Sequence, residues 1–173
     1  GGTVLLAVIS YSIQIYFDFS GYSDMAIGSA KCIGFDLNRN FDLPYISKNV
    51  SEFWKRWHIS LSSWLQEYLY IPLGGNRKGT IRTYVNLILT MLLGGLWHGA
   101  NWTFVLWGLF HGVGLCIHKV YCRLRHITKK HSGSLPAKII SAIFTYLFVC
   151  IGWVLFRAES IADAQLVLKA IFT

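Results

Sequence analysis

The chain has 173 residues, with 16 Lys and Arg against 8 Asp and Glu for a net charge of +8; 54% of its residues are apolar and only 14% are charged. A soluble domain carries about 25% charged residues, so water is not the main solvent of this chain. Three stretches hold no Asp, Glu, Lys or Arg at all, residues 1–17, 83–118 and 139–156; they are too long for the surface of a soluble fold, and the fold class they predict is an all-α polytopic membrane protein.

A span needs about 20 predominantly apolar residues. The first is predicted at about Thr3 to Phe19. Residues 18–30, small side chains with Asp24 embedded, are then expected to be a re-entrant or loop region, where Asp18 and Asp24 cap a following helix or line a polar cavity. Across residues 46–70, Phe53, Trp54, Trp57, Trp64, Leu65, Tyr68 and Leu69 recur at helical spacing with Lys55, Arg56 and Glu67 between them. That pattern predicts one amphipathic helix in the membrane interface, capped by Ser47 or Ser51 and ended by Pro72 and Gly74-Gly75.

Residues 83–118 are too long for one crossing and predict a helical hairpin turning near Gly94, Gly95, Gly99 and Asn101. A basic loop over residues 124–136, a last span at about Lys138 to Phe156 and a short amphipathic helix over 159–172 complete the chain. The expectation is about four transmembrane helices plus interfacial or re-entrant ones.

No acid occurs between Glu67 and Glu159, whereas Arg77, Lys78, Arg82, Lys119, Arg123, Arg125, Lys129, Lys130 and Lys138 all fall there. These cations flank the hairpin on both sides and so belong to one face of the bilayer, the cytoplasmic one by the positive-inside rule. Lipid headgroups suit cations in loops beside such spans better than nucleic acid does, and no nucleic acid partner is expected. Cys32, Cys116, Cys122 and Cys150 form no CxxC pair and read as reduced structural thiols. The opening residues lack the basic region of a signal peptide, and the chain reads as an excerpt.

Two runs carry chemistry. The first, Gly95-Leu-Trp-His98-Gly-Ala-Asn101-Trp, puts a histidine at the hairpin turn, where a neutral imidazole is suited to take a proton near neutral pH. A histidine hydrogen-bonded inside a helix bundle is the alternative. The second, Phe53-Trp-Lys-Arg-Trp-His58-Ile-Ser-Leu-Ser62-Ser63-Trp64, is either an interfacial aromatic belt or a place where His58 shares proton transfer with His98. His111 and His118 read as packing or headgroup contacts, and Arg157 as a snorkelling anchor. HExxH is absent and no acid neighbours these histidines in sequence, so no metal site is expected.

Four segments, FDFSGYSDMAIG (17–28), FWKRWHISLSSWLQEYLYIPLGGNRKG (53–79), GLWHGANWTFVLWGLFHG (95–112) and GWVLFRAES (152–160), together resemble the membrane-bound O-acyltransferases. Their wording is most similar to the bacterial alginate O-acetylation branch, whose relatives include D-alanyl transfer proteins for teichoic acids. The resemblance implies that residues 1–173 are the C-terminal catalytic part of a larger fold in the bacterial cytoplasmic membrane. It implies that His98 is the essential histidine and His58 its partner. It further implies an acyl donor thioester on the cytoplasmic side, acetyl-CoA in this branch, with no bound cofactor. The implied acceptor is an exported polysaccharide, reached directly or through extracytoplasmic partner proteins.

Trp97 and Asn101 beside His98, and Trp57 and Ser62 beside His58, are the candidate substrate contacts. Arg77 and Lys78 are candidates for the CoA phosphates, with headgroup binding as their alternative. Gln66 precedes Glu67 where the family has an arginine before its acid, which weakens a phosphate role there. Rival readings are D-alanyl transfer, a transporter or channel subunit with His98 on its path, and a structural subunit.

Overall fold

The computed structural model describes residues 1–125 and 134–173, and among them every regular element is a helix. The first, α1 (Gly2–Cys32), runs unbroken for 31 residues. The predicted span and the predicted loop after it are therefore one helix. Nothing in the small-residue run breaks the backbone ladder: it holds no proline, and Asp18 and Asp24 stand exposed inside the helix and cap nothing. The helix closes at Gly34, whose φ of +86° lets Gly34 and Phe35 donate back to Lys31 and Ala30.

The predicted single helix over residues 46–70 is in fact three pieces. A 3-10 turn (Pro44–Ile46) leads to α2 (Val50–Arg56), and α3 (Ile59–Leu65) continues into a π-helical turn (Gln66–Tyr70). Asn49, rather than Ser47 or Ser51, caps α2, its side chain accepting from the Glu52 backbone at 2.8 Å. Ser47 instead donates to the Pro44 carbonyl at 2.6 Å. The break between α2 and α3 falls on His58, which takes a left-handed conformation at φ +44°. Aromatic periodicity continues through this corner, so the sequence alone conceals it.

The hairpin is α4 (Thr80–His98) packed against α5 (Trp102–Leu124). Its turn is only Gly99 to Asn101. Gly94 and Gly95 lie within α4, where glycine serves helix contact rather than turning. A Cβ on Gly95 would strike the Phe104 carbonyl oxygen, and one on Gly108 the Met91 carbonyl oxygen. Close backbone approach through small residues is how helices associate where lipid removes the hydrophobic drive. Next come α6 (Leu135–Arg157), with proline in its first turn, and α7 (Ile161–Phe172), capped by Ser160 through the Asp163 amide at 3.2 Å.

By length and composition α1, α5 and α6 could each cross a membrane, and α4 runs beside α5 as the other arm of the hairpin. The interior is mostly aromatic: Phe53, Trp57, Trp107, Val149 and Trp153 form one buried cluster. Val8, Cys150, Val154 and Ala164 form a second, where α1 runs antiparallel to α6. Ser12 Oγ and the Tyr146 hydroxyl, 2.6 Å apart, tie the same two helices.

At one end of the hairpin the 71–79 turn folds back onto both arms. Asn86 donates to the Leu73 and Gly75 carbonyls at 3.2 and 3.1 Å, Lys119 Nζ to Asn76 at 2.8 Å, and Arg123 to Thr80 at 2.7 Å. Arg77, Lys78, Arg82, Lys119, Arg123 and Arg125 thus share one end of the molecule, as the charge pattern predicts. Lys129, Lys130, His126 and His131 lie outside the described residues.

Candidate active site

His98 is the last residue of α4, at the end of the hairpin away from the basic turn. Its half-buried ring stands among aromatic ones, with centroids 5.1 Å from Trp97, 5.3 Å from Trp107 and 5.1 Å from Phe156. The tight turn follows from Gly99: a Cβ there would come within 2.8 Å of the Phe104 ring. Asn101 then starts α5. Its side-chain oxygen accepts from the Thr103 amide at 3.1 Å, and its Nδ2 donates to the Glu159 carbonyl at 3.1 Å, fastening the turn to the α6–α7 corner.

His58 occupies the α2–α3 corner, its ring edge-on to Phe19 at 4.7 Å. Its Nδ1 is 3.4 Å from Asn40 Oδ1, an oxygen that also accepts from the Ser60 amide at 3.2 Å and the Ser60 hydroxyl at 2.6 Å. Since the Ser60 amide can only donate, this atom of Asn40 is the acceptor, and its bond to His58 requires the proton on Nδ1. Nε2 then keeps its lone pair and is free to take a proton. Burial lowers the His58 pKa from 6.5 to about 4, and the proximity of His98 adds to the effect. Two histidines from separate runs are therefore within electrostatic reach of each other, and His58 is neutral at physiological pH.

The other sequence candidates divide. Trp97, 65% exposed, flanks His98, whereas Trp57 is 4% exposed and packs against Trp153 at 4.8 Å in the aromatic core. Ser62 donates to the Trp57 carbonyl at 3.1 Å and lines a cavity of about 330 Å³ together with Trp54, Lys55, Tyr70, Asn76 and Lys119. Arg77 and Lys78 are exposed on the adjoining turn and do not line it. Asn40, Lys55 and Lys119 are not among the site candidates that the sequence marks, yet Asn40 meets His58 and the two lysines line the cavity. Asn40 sits in a polar stretch without periodicity, and only the fold carries it to His58. Among the described residues no three His, Cys, Asp or Glu side chains come together to hold a metal ion.

The model of the membrane-bound O-acyltransferase family matches residues 3–161, which include both histidines and Asn40. The chain belongs to that family. It is 51% identical to the probable alginate O-acetylase AlgI of Azotobacter vinelandii, over 99% of this chain and 33% of that protein. It is likewise 51% identical to the peptidoglycan O-acetyltransferase of Helicobacter pylori, over 93% of this chain and 30% of that protein. The teichoic acid D-alanyltransferase of Bacillus subtilis is 31% identical over 90% of this chain and 41% of its own length. The chain thus spans about a third of the length of the alginate and peptidoglycan relatives. The helices described here hold His98 at one end of the α4–α5 hairpin, with His58 within electrostatic reach of it, and a cavity lined by Lys55 and Lys119 towards the other end.

Proposed function

We propose that the whole protein is an O-acetyltransferase of the bacterial cytoplasmic membrane, moving an acetyl group from acetyl-CoA on the cytoplasmic side to a hydroxyl of an exported cell-surface polysaccharide. The observation that supports this reading is that His58 and His98, from the two most distinctive runs of the chain, lie within electrostatic reach of each other, with the His98 ring among Trp97, Trp107 and Phe156.

His98 acts as general base. It takes the acceptor hydroxyl proton as that oxygen attacks the thioester carbonyl carbon, the C–S bond breaks, and the CoA thiolate leaves and is protonated. His58, fixed by Asn40 with its Nε2 unprotonated, orients the acceptor or passes the proton on. Lys55 and Lys119 at the cavity, with Arg77 and Lys78 exposed on the adjoining turn, meet the CoA phosphates. The acceptor is reached directly or through extracytoplasmic partner proteins. Acetyl transfer is favoured over D-alanyl transfer because identity to the O-acetylating relatives is 51% and to the D-alanyl relative 31%.

The test is transfer of label from acetyl-CoA to the polymer fraction by membranes holding the full-length protein. Acetylation lost in His98→Ala is expected. Wild-type transfer by that variant refutes the assignment, label moving only from a D-alanyl carrier refutes the donor, and solute flux without acylation points to a transporter.

A further inference from the structure

Trp54 and His111 are joined to His98 through Trp107 and have no part in the reaction described so far. Trp54, on α2, donates its indole N–H to His111 Nδ1, midway along α5, at 3.3 Å, and the two rings meet edge to face 5.1 Å apart. Both rings contact Trp107, Trp54 at 5.7 Å and His111 at 5.1 Å. Trp107 in turn stands edge-on to the His98 ring at 5.3 Å.

His111 is fully buried. It lies parallel to Phe53 and edge-on to Phe148, and a Cβ on Gly152 would fall 2.8 Å from its Nε2. Because Nδ1 accepts from Trp54, the ring proton sits on Nε2, and that atom has no hydrogen-bond partner among the described residues. A buried donor left unpaired is destabilising, and leucine or phenylalanine would fill an apolar site between α2, α5 and α6 without that penalty. A polar group kept at such a cost at membrane depth marks function rather than stability.

We propose that His111 is a positioning residue for acyl transfer. By accepting the Trp54 hydrogen bond it fixes the Trp54 and Trp107 indoles, and Trp107 holds the His98 imidazole at the angle from which it meets the acceptor hydroxyl. The inference rests on His98 being the general base.

The test uses full-length protein in membranes with labelled acetyl-CoA as the probe, reading transfer to polymer per unit of folded protein. His111→Leu removes the acceptor, His111→Asn keeps an oxygen where Nδ1 stands, and Trp54→Phe deletes the same bond from its other end. His111→Leu is expected to lower kcat at least about tenfold with the KM for acetyl-CoA unchanged. His111→Asn recovers most of that rate, and adding Trp54→Phe to His111→Leu costs little more than the larger single loss.

Wild-type kcat in His111→Leu overturns the proposal, as does an equal loss in His111→Asn. If His111→Leu does not accumulate in membranes, Trp54→Phe decides: an undiminished kcat there overturns the proposal as well. Normal transfer by His98→Ala would instead sink the functional reading. Loss in His98→Ala with none in His111→Leu sinks this inference alone.

Discussion

A methyl group added at Gly95 has nowhere to go. Its Cβ would strike the Phe104 carbonyl oxygen and lie 3.2 Å from both Cα and N of Gly108, all of them backbone atoms of α5. At the neighbouring Gly94 the only close atom is Leu65 Cδ1, 3.1 Å away at the tip of a flexible side chain. Overpacking costs about 1–3 kcal/mol, and Gly95→Ala belongs at the upper end because α5 must move as a body. For Gly94→Ala the gain of about 1 kcal/mol in helix propensity offsets the displacement of Leu65. Gly95 lies three residues before His98, so parting α4 from α5 carries the imidazole with it, and a shift of about 1 Å costs on the order of 100-fold in rate. Purified full-length variants should therefore separate in both thermal melting and initial transfer rate. Gly95→Ala loses roughly 2–3 kcal/mol and about two orders of magnitude in rate, and Gly94→Ala stays near wild type. Equal losses at the two positions would refute the claim that close α4–α5 contact places His98.

The pH dependence follows from His58, lowered from 6.5 to about 4 by burial and by His98. As pH falls, the unfolded ring binds its proton before the folded one does, so the stability given by the neutral ring is complete above pH 6.5 and is lost as pH falls towards 4. Melting temperature should drop across that window and drop less in His58→Asn; identical pH profiles contradict the reading. For Asn101, removing the α5 cap and the bond to Glu159 predicts a loss of about 1–2 kcal/mol in Asn101→Ala. Asn101→Asp retains the cap and should recover much of the melting temperature; if it melts no higher than Asn101→Ala, the cap is not what Asn101 supplies.

How far the sequence could be read depended on what each pattern encodes. Charge-free runs and flanking cations exposed the hairpin, the last span and the shared basic end, because solvation by lipid acts residue by residue. Local signals misled where two structures share one pattern. Glycine at Gly94 and Gly95 reads as a turn but serves close helix contact. Aromatic spacing around Trp57 continues smoothly although His58 turns the chain at φ +44°. The small-residue run after Phe19 resembles a loop but extends α1 to Cys32. Asn40 and the Trp54–His111 bond were beyond reach because each joins positions far apart in sequence, 18 residues for Asn40 and His58 and 57 for Trp54 and His111.

The central claim, that His58 and His98 act as a unit in acyl transfer, is tested most directly by a double-mutant cycle. The measurement is the rate of acetyl transfer by full-length wild type, His58→Ala, His98→Ala and the combined variant, each normalised to folded protein. Residues that act together are grossly non-additive. The account predicts a loss on the order of a thousandfold in His98→Ala and little further loss when His58→Ala is added. Independent, multiplying losses, or a His98→Ala variant that still transfers at the wild-type rate, would contradict it.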